Sequence, residues 1–276
     1  MGRVLEAPGT VALSWSWGPM TKRLEFRSNT AASGKLGLGP ACLVLAASLA
    51  ASGMAVADTV RDCEQIDSAP LVVRACSALI AEASLDPMAK GRVFTMRGIA
   101  WLKEEEPAAA ISDFTRAINL DAGNINAIKG RAKAYTLLGN HDLAAADWAS
   151  IIGKKPNDEE AYRNKAAAHL AAGRSGQALA DYSKAIEIDP KSVEAYIGRA
   201  GVYEHLNERE KSMGEFSAAL QIDPAYIPTY LARAEAAERW GDHKLAIDSY
   251  VTLLKYNGVF WQARKALQRL GVSNQP

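Results

Sequence analysis

The stretch EEAYRNKAAAHLAAGRSGQALADYSKAIEIDPKS, residues 159–192, decides how this chain folds. Its apolar residues recur at helical spacing on both sides of Gly173, which predicts two helices separated by a short turn. Asp189-Pro190 ends the second helix, because proline disfavours helical geometry in the residue before it and cannot continue the hydrogen-bond ladder. We therefore predict a helix–turn–helix hairpin.

The same pattern recurs with a period of 34 residues through 91–260. Two columns of small residues and one column of aromatic residues keep fixed offsets in every period. The small columns are Gly98, Ala132, Ala166, Ala200, Ala234 and Ala110, Ala144, Ala178, Ser212, Ala246, and the aromatic column is Phe114, Trp148, Tyr182, Phe216, Tyr250. A fixed period in this range indicates a stacked array, in which each hairpin buries its apolar face against its neighbours.

A third apolar column reads Ala117, Ile151, Ala185, Ala219, Leu253. Together these columns resemble the pattern of the tetratricopeptide repeat family. The mild departures are Ser212, Ile151 and Leu253 in the columns, and Ala122 and Gly258 where proline is usual. The resemblance implies an all-α fold, a right-handed α-solenoid of stacked helix–turn–helix hairpins. Its five repeats would be 91–124, 125–158, 159–192, 193–226 and 227–260. We expect residues 261–276 to supply a C-terminal capping helix and a tail, and residues 58–90 to form an N-terminal strap and a degenerate repeat.

The N-terminal region has the layout of a secretory signal peptide. Basic residues precede a short apolar run at 41–52, and Ala55-Val56-Ala57 offers a small-x-small cleavage site. We therefore expect cleavage after Ala57 and a periplasmic or secreted protein of bacterial type, without a membrane span in the mature chain. An uncleaved N-terminal anchor is the alternative. Residues 1–19 do not fit this layout, so the start is either Met1 or Met20, and we expect Met20.

Charge and cysteine content narrow the functional classes. The formal net charge is +1, and the region removed by cleavage has a small basic excess, so the mature chain is close to neutral. Nucleic-acid binding is not expected at this balance. Cleavage leaves Cys63 and Cys76, an even number in an oxidising compartment, which favours a disulfide worth about 3 kcal/mol in the loop-entropy model. Two buried free thiols are the alternative.

Two charged columns accompany the apolar ones. The first-helix column reads Arg97, Arg131, Lys165, Arg199, Arg233, and the second-helix column reads Asp113, Asp147, Asp181, Glu215, then Ser249 beside Asp248. A basic column invites a functional interpretation. The matching acidic column instead favours ion pairs inside each hairpin, because buried charges normally occur paired.

The family resemblance also implies a binding surface, because the first helices of tetratricopeptide repeats line a concave groove. The exposed positions there predict a partner-binding set that is basic in its middle and acidic toward its C-terminal half: Lys129, Lys133, Arg163, Asn164, Glu194, Glu204, Glu235 and Glu238. Such a groove suits an extended peptide with segregated charge, or a carboxylate-bearing chain end. A solvated charged face without a ligand is the alternative.

The sequence offers no pattern typical of a catalytic, metal or cofactor site. Its histidines lack metal-ligand spacing, and no phosphate loop or nucleophile elbow occurs. His169 is expected to fill a packing position. We therefore expect no enzyme activity and no cofactor. The leading hypothesis is an adaptor that binds a protein or peptide partner. The second is a self-associating structural protein of the cell envelope, and the third is an enzyme or small-molecule binder.

Overall fold

The computed structural model describes residues 68–81 and 85–272. Within these two ranges the backbone forms twelve α-helices and no β-strand. The helices are α1 (Ala69–Ala81), α2 (Pro87–Lys103), α3 (Pro107–Leu120), α4 (Ile125–Leu137), α5 (His141–Lys154), α6 (Glu159–Ala171), α7 (Ser175–Ile188), α8 (Val193–His205), α9 (Arg209–Ile222), α10 (Ile227–Arg239), α11 (His243–Tyr256) and α12 (Trp261–Arg269). Each helix packs against the next along the chain, which confirms the predicted all-α solenoid of hairpins.

A residue with left-handed backbone geometry follows each first helix at the same offset in the repeat. Gly139, Gly173 and Gly241 fill this place in three repeats, with φ of 72°, 74° and 73°. The other two repeats use Glu105, with φ of 60°, and Asn207, with φ of 58°. A side chain in this region costs about 1–2 kcal/mol, whereas glycine adopts it freely. The hairpin turn is therefore most strained in the first repeat, because asparagine tolerates the region better than glutamate does.

The aromatic column forms the centre of the hairpins, and all five of its side chains are buried. Phe114 shows how it works. A Cβ atom added to Gly98 of its own hairpin would lie 2.7 Å from Cε1 of Phe114. A Cβ atom added to Gly130 of the next hairpin would lie 2.5 Å from the same carbon. One ring therefore fills the space left by small residues on two successive first helices.

The charged columns form ion pairs inside four of the five hairpins, as the sequence predicted. The distances are 2.7 Å for Arg97–Asp113, 2.7 Å for Arg131–Asp147, 2.9 Å for Lys165–Asp181 and 3.0 Å for Arg199–Glu215. The fifth hairpin differs, because Arg233 Nε donates to Ser249 Oγ at 3.0 Å and Arg233 has no ion pair in the described ranges. Burial accordingly lowers the pKa of Arg233.

Helix α1 covers the N-terminal end of the array. Its Cys76 is buried in a cluster that also contains Val93 of α2. Ser77 Oγ accepts a hydrogen bond from Arg97 Nη1 at 2.9 Å, which joins α1 to the first ion pair. Cys63 and the expected cleavage site after Ala57 lie outside the described residues, so the disulfide and the signal peptide stay predictions.

Helix α12 covers the C-terminal end, where Ala263 and Leu267 pack in one cluster with Tyr250 of α11. The junction just before the fifth repeat is less close. Among consecutive helices of the described chain, α9 and α10 approach each other least. Ser212 of α9 and Thr229 of α10 are fully buried, and their hydroxyl groups have no hydrogen-bond partner among the described residues. Unsatisfied buried hydroxyls are destabilising, so these two groups add no stabilising hydrogen bond near the junction.

Candidate functional site: the groove face

The first helices α2, α4, α6, α8 and α10 lie along one side of the stack, and ion pairs between neighbouring first helices mark the surface that we call the groove face. Lys129 Nζ of α4 lies 2.5 Å from Glu160 Oε2 of α6. Glu204 of α8 forms an ion pair with Arg239 of α10. The groove face comprises Lys129, Lys133, Glu159, Glu160, Arg163, Asn164, Glu194, Gly198, Gly201, Glu204, Glu235, Glu238 and Arg239.

Acidic residues neutralise the two predicted lysines in the middle of the groove face. Burial alone would lower the pKa of Lys129, but hydrogen bonds and charges from Glu160 and Asp158 raise it above its usual value. Lys133 Nζ lies 4.0 Å from Glu160 Oε1, and the Lys133 side chain is 57% exposed. The predicted basic middle is thus an incomplete description, because the predicted set left out Glu159 and Glu160. Glu160 holds a groove-facing position of its repeat, so the sequence contained the signal.

Arg163 and Asn164 lie on α6 with part of their hydrogen-bonding capacity unused. Arg163 Nε donates to Glu159 Oε1 at 3.2 Å, and Ser192 Oγ donates to the same oxygen at 2.6 Å. Asn164 Nδ2 donates to the backbone carbonyl of Glu160 at 2.7 Å. The two terminal nitrogens of Arg163 have no hydrogen-bond partner within residues 68–81 and 85–272. They are available to a ligand.

Glu194 lies at the boundary between the third and fourth repeats. Its Oε1 accepts a hydrogen bond from the Tyr226 hydroxyl at 2.9 Å. Burial, followed by this hydrogen bond, raises the pKa of Tyr226 to about 12, while the charge of Arg163 acts in the opposite direction. The structure therefore brings Arg163 and Glu194 of the predicted set together around Tyr226. Tyr226 is a further member of this cluster that the sequence did not single out.

The predicted acidic residues at the C-terminal end mostly serve internal contacts. The Glu204 side chain is 9% exposed, and burial raises its pKa although the paired Arg239 opposes this shift. Glu238 Oε1 accepts a hydrogen bond from the Tyr250 hydroxyl at 2.7 Å, and Arg269 Nη2 of α12 lies 2.5 Å from Glu238 Oε2. Two of the predicted site residues thus fasten neighbouring helices to each other.

A cleft of about 420 Å³ lies between α10 and α12. Glu235 and Glu238 line one side, Lys265 and Arg269 line the other, and Trp261 stands at the edge with 64% of its surface exposed. Acids and bases face each other across the cleft, which Arg239 also lines.

Two histidines make internal hydrogen-bonding contacts. His169 Nδ1 lies 2.8 Å from Asp181 Oδ2, so His169 reinforces the ion pair of its hairpin in addition to packing. His205 Nδ1 lies 3.0 Å from Ser175 Oγ. In the part of the chain that the structure describes, no group of three or more side chains could hold a metal ion. None of the described helices is both long and apolar enough to span a lipid bilayer.

Comparison with known proteins bears on the fold. Residues 159–192 match the family model described as tetratricopeptide repeat. A tetratricopeptide repeat protein of Parabacteroides merdae is similar in structure, with a TM-score of 0.64 and 19% identity over 78% of this chain and 88% of that chain. A thermophilic tetratricopeptide repeat protein of Thermus thermophilus gives a TM-score of 0.56 and 20% identity over 66% of this chain and 100% of that chain.

One curated relative shows a short match. The 58 kDa phosphoprotein of Plasmodium berghei is 44% identical over 55 residues, which are 20% of this chain and 13% of that protein. The match thus spans a small part of the relative's length. The solved structures share the fold, and residues 159–192 carry the family's sequence pattern. We conclude that the described helices form an all-α solenoid of hairpins that shares its fold with these tetratricopeptide repeat proteins.

Proposed function

We propose that this chain is an exported adaptor that binds an extended peptide segment of a partner protein along its groove face. The unused hydrogen-bonding groups at the boundary of the third and fourth repeats carry this proposal. Arg163 keeps two terminal nitrogens without a hydrogen-bond partner in the part of the chain that the structure describes, and Lys133 is largely exposed on the neighbouring first helix. A scaffold for protein–protein interaction is also what the fold suggests.

The spacing of the first helices sets the length of the peptide. Packed helices lie about 10 Å apart, and an extended chain advances about 3.3 Å per residue. Each repeat therefore corresponds to about three peptide residues. The five first helices from α2 to α10 would meet an extended segment of about twelve residues.

Crosslinking from defined positions tests the groove assignment. A photoreactive amino acid at Lys133 or Glu194 should capture a partner protein in cell-envelope extracts. The same amino acid at Lys184, an exposed residue of the second helix α7, is the matched control and should capture none. Capture of the same partner from position 184 would contradict the assignment.

A charge variant sharpens this test. The triple reversal of Lys129, Lys133 and Arg163 would break internal ion pairs, so Lys133→Glu alone is the better variant. It should weaken capture while leaving the circular dichroism spectrum unchanged. Light scattering over a range of concentrations addresses the alternative. Crosslinks between copies of the chain, together with a mass that rises with concentration, would favour self-association.

The export part of the proposal rests on residues 1–57, which have the layout of a signal peptide. Mass spectrometry of the purified protein should find Asp58 at the N-terminus, and a terminus at Met1 or Met20 would contradict cleavage. We also propose a disulfide between Cys63 and Cys76 in the mature chain. Thiol labelling under denaturing conditions should then label these cysteines only after reduction, and labelling without reductant would contradict it.

A further inference from the structure

The hydroxyl group of Tyr182 belongs to a buried side chain, and no contact among the described residues accounts for it. Tyr182 belongs to the aromatic column and is 4% exposed. Its hydroxyl makes no hydrogen bond among the described residues. Polar groups at this degree of burial normally have a partner, because an unsatisfied one is costly.

The ring of Tyr182 points toward the groove face. A Cβ atom added to Gly198 of α8 would lie 2.6 Å from the Tyr182 hydroxyl oxygen, so the tip of the ring occupies the place of the missing side chain. Gly198 lies on the groove face between Glu194, which contacts Tyr226, and Glu204, which contacts Arg239. The hydroxyl thus reaches this surface through the gap that glycine leaves.

Packing alone does not require this hydroxyl. Phe114 fills the equivalent place in the first repeat, against the equivalent Gly130, without a hydroxyl group. Phenylalanine would therefore satisfy the same geometry at position 182. The oxygen of Tyr182 is additional to what the hairpin needs.

The surface around this hydroxyl is open to a close-lying chain. Gly201 follows Gly198 by one helical turn, and the nearest neighbour of an added Cβ atom there is Leu170 Cδ2 at 4.0 Å. Packing thus leaves room for a side chain at position 201, so it does not require glycine there. Glycine is also unfavourable in the interior of a helix, so its presence calls for another reason. Glycine at a surface lets another backbone approach closely. Gly198 and Gly201 together give α8 a bare strip beside the hydroxyl.

The chemistry of the site favours a neutral acceptor. Burial raises the pKa of Tyr182, although the charge of Arg163 opposes this, so the hydroxyl keeps its proton and is a hydrogen-bond donor. Glu159 already engages Arg163, and Glu194 lies at the same boundary, so the surroundings have no positive excess. A carboxylate of the ligand would be repelled by these acids and would lose its hydration here. A carbonyl oxygen is neutral, so it avoids both costs.

We propose that the Tyr182 hydroxyl donates a hydrogen bond to a main-chain carbonyl of an extended peptide that runs over Gly198 and Gly201. This subsite rests on the proposed function, because it takes a peptide along the groove face. It assigns to a residue of the aromatic column a direct contact with the ligand.

A library of blocked 12-residue peptides, with each position randomised in turn, provides the probe. The tightest-binding peptide is then titrated against the wild type, Tyr182→Phe, Tyr250→Phe and Gly201→Leu. Tyr182→Phe should weaken binding about three- to tenfold, the effect of losing one neutral hydrogen bond. Tyr250→Phe is the matched control and should bind as the wild type does. Gly201→Leu should weaken binding further, because its side chain covers the bare strip.

Ester substitution identifies the acceptor, because an ester carbonyl accepts hydrogen bonds more weakly than an amide carbonyl. One ester in the peptide should weaken binding to the wild type but have no further effect on binding to Tyr182→Phe. Urea unfolding of Tyr182→Phe should match that of the wild type. A lowered midpoint would show an internal partner for the hydroxyl and overturn the proposal.

The remaining outcomes separate the subsite from the proposed function. If Tyr182→Phe binds the peptide as tightly as the wild type while Gly201→Leu does not, the subsite is overturned and groove binding stands. If no library peptide binds the wild type, groove binding of peptides is overturned, and the subsite falls with it.

Discussion

The middle and the C-terminal end of the groove face place tyrosines of the same column in opposite environments. The Tyr250 hydroxyl donates to Glu238 Oε1 at 2.7 Å, whereas the Tyr182 hydroxyl has no partner among the described residues. Leu170 holds the place in the third repeat that Glu238 holds in the fifth. Where the first helix carries an acid, the tyrosine hydroxyl donates to it and links two helices, which we call a brace. Where the first helix carries leucine, the hydroxyl stays available as a donor. The C-terminal end is thus fastened to itself, and the middle is open.

The largest expected difference concerns the charged columns of the two regions. Asp181→Ala leaves Lys165 and His169 without their acid, and we expect a loss of about 3 kcal/mol in the free energy of unfolding. Ser249→Ala in the fifth hairpin removes the hydroxyl that accepts a hydrogen bond from the charged Arg233 and should cost about 1.5 kcal/mol. Urea unfolding measures both. Equal losses would show that the ion pair adds nothing to the middle. Replacing both partners, by Lys165→Met with Asp181→Leu, should cost less than Asp181→Ala.

The small residue that faces each tyrosine gives the next effect: adding a methyl group should destabilise the chain beside Tyr182, and removing one should destabilise it beside Tyr250. Gly198→Ala forces a Cβ atom into the Tyr182 ring and should destabilise the chain by about 2 kcal/mol. Ala266 holds the equivalent place beside Tyr250 and already carries a Cβ atom, so Ala266→Gly should be the destabilising change there, by about 1 kcal/mol.

Gly201→Ala is the control for the glycine variant. It adds a methyl group in open space on the same helix and should stabilise the chain by up to about 1 kcal/mol. Thermal unfolding compares the three variants. A stabilised Gly198→Ala variant would mean that the Tyr182 ring can move aside.

Removing the hydroxyl groups tests the comparison directly. Tyr250→Phe breaks a hydrogen bond to a charged carboxylate and should cost about 1.5 kcal/mol. Tyr182→Phe breaks no hydrogen bond to another described residue, so its free energy of unfolding should equal that of the wild type. Equal losses in the two variants would refute the distinction between brace and open donor. The measurement is urea unfolding at neutral pH.

The smallest effect concerns pH at the C-terminal end. Burial raises the pKa of Glu204 in the folded chain, so the unfolded chain ionises first as the pH rises above about 4.3. The stability that Glu204 contributes is therefore present below that pH and is lost as the pH rises through the folded pKa. Relative to Glu204→Gln, the wild type should become less stable between pH 4 and pH 7. Thermal unfolding across this range measures the difference, and a constant offset would contradict the prediction.

The repeat period predicted the contacts that are made within one hairpin. Arg97–Asp113 and Arg131–Asp147 are each separated by sixteen residues, so two columns at fixed offsets were enough to pair them. Burial of the aromatic column followed in the same way. Among the described residues, the fifth hairpin lacks this ion pair because Ser249 replaces the acidic residue of the column. The sequence alone already shows this replacement.

Contacts between repeats were harder to predict from the sequence. Lys129 and Glu160 are separated by 31 residues, and their contact depends on how neighbouring first helices are rotated and which rotamers their long side chains adopt. The direction of the Tyr182 ring likewise depends on how the ring packs against α8. The repeat columns do not predict this packing. Leu170 and Glu238 were visible as differences in one column, but their effect depends on which atom the tyrosine presents to them.

The loose junction between α9 and α10 has a mechanical consequence. A stack held by nearest-neighbour contacts resembles a jointed rod, whose stiffness at each joint depends on the contact there. Thermal bending should therefore concentrate between the fourth and fifth repeats of the described chain. The segment formed by α10, α11 and α12 would tilt as one unit, and the ion pair between Glu204 and Arg239 would limit how far α10 moves from α8.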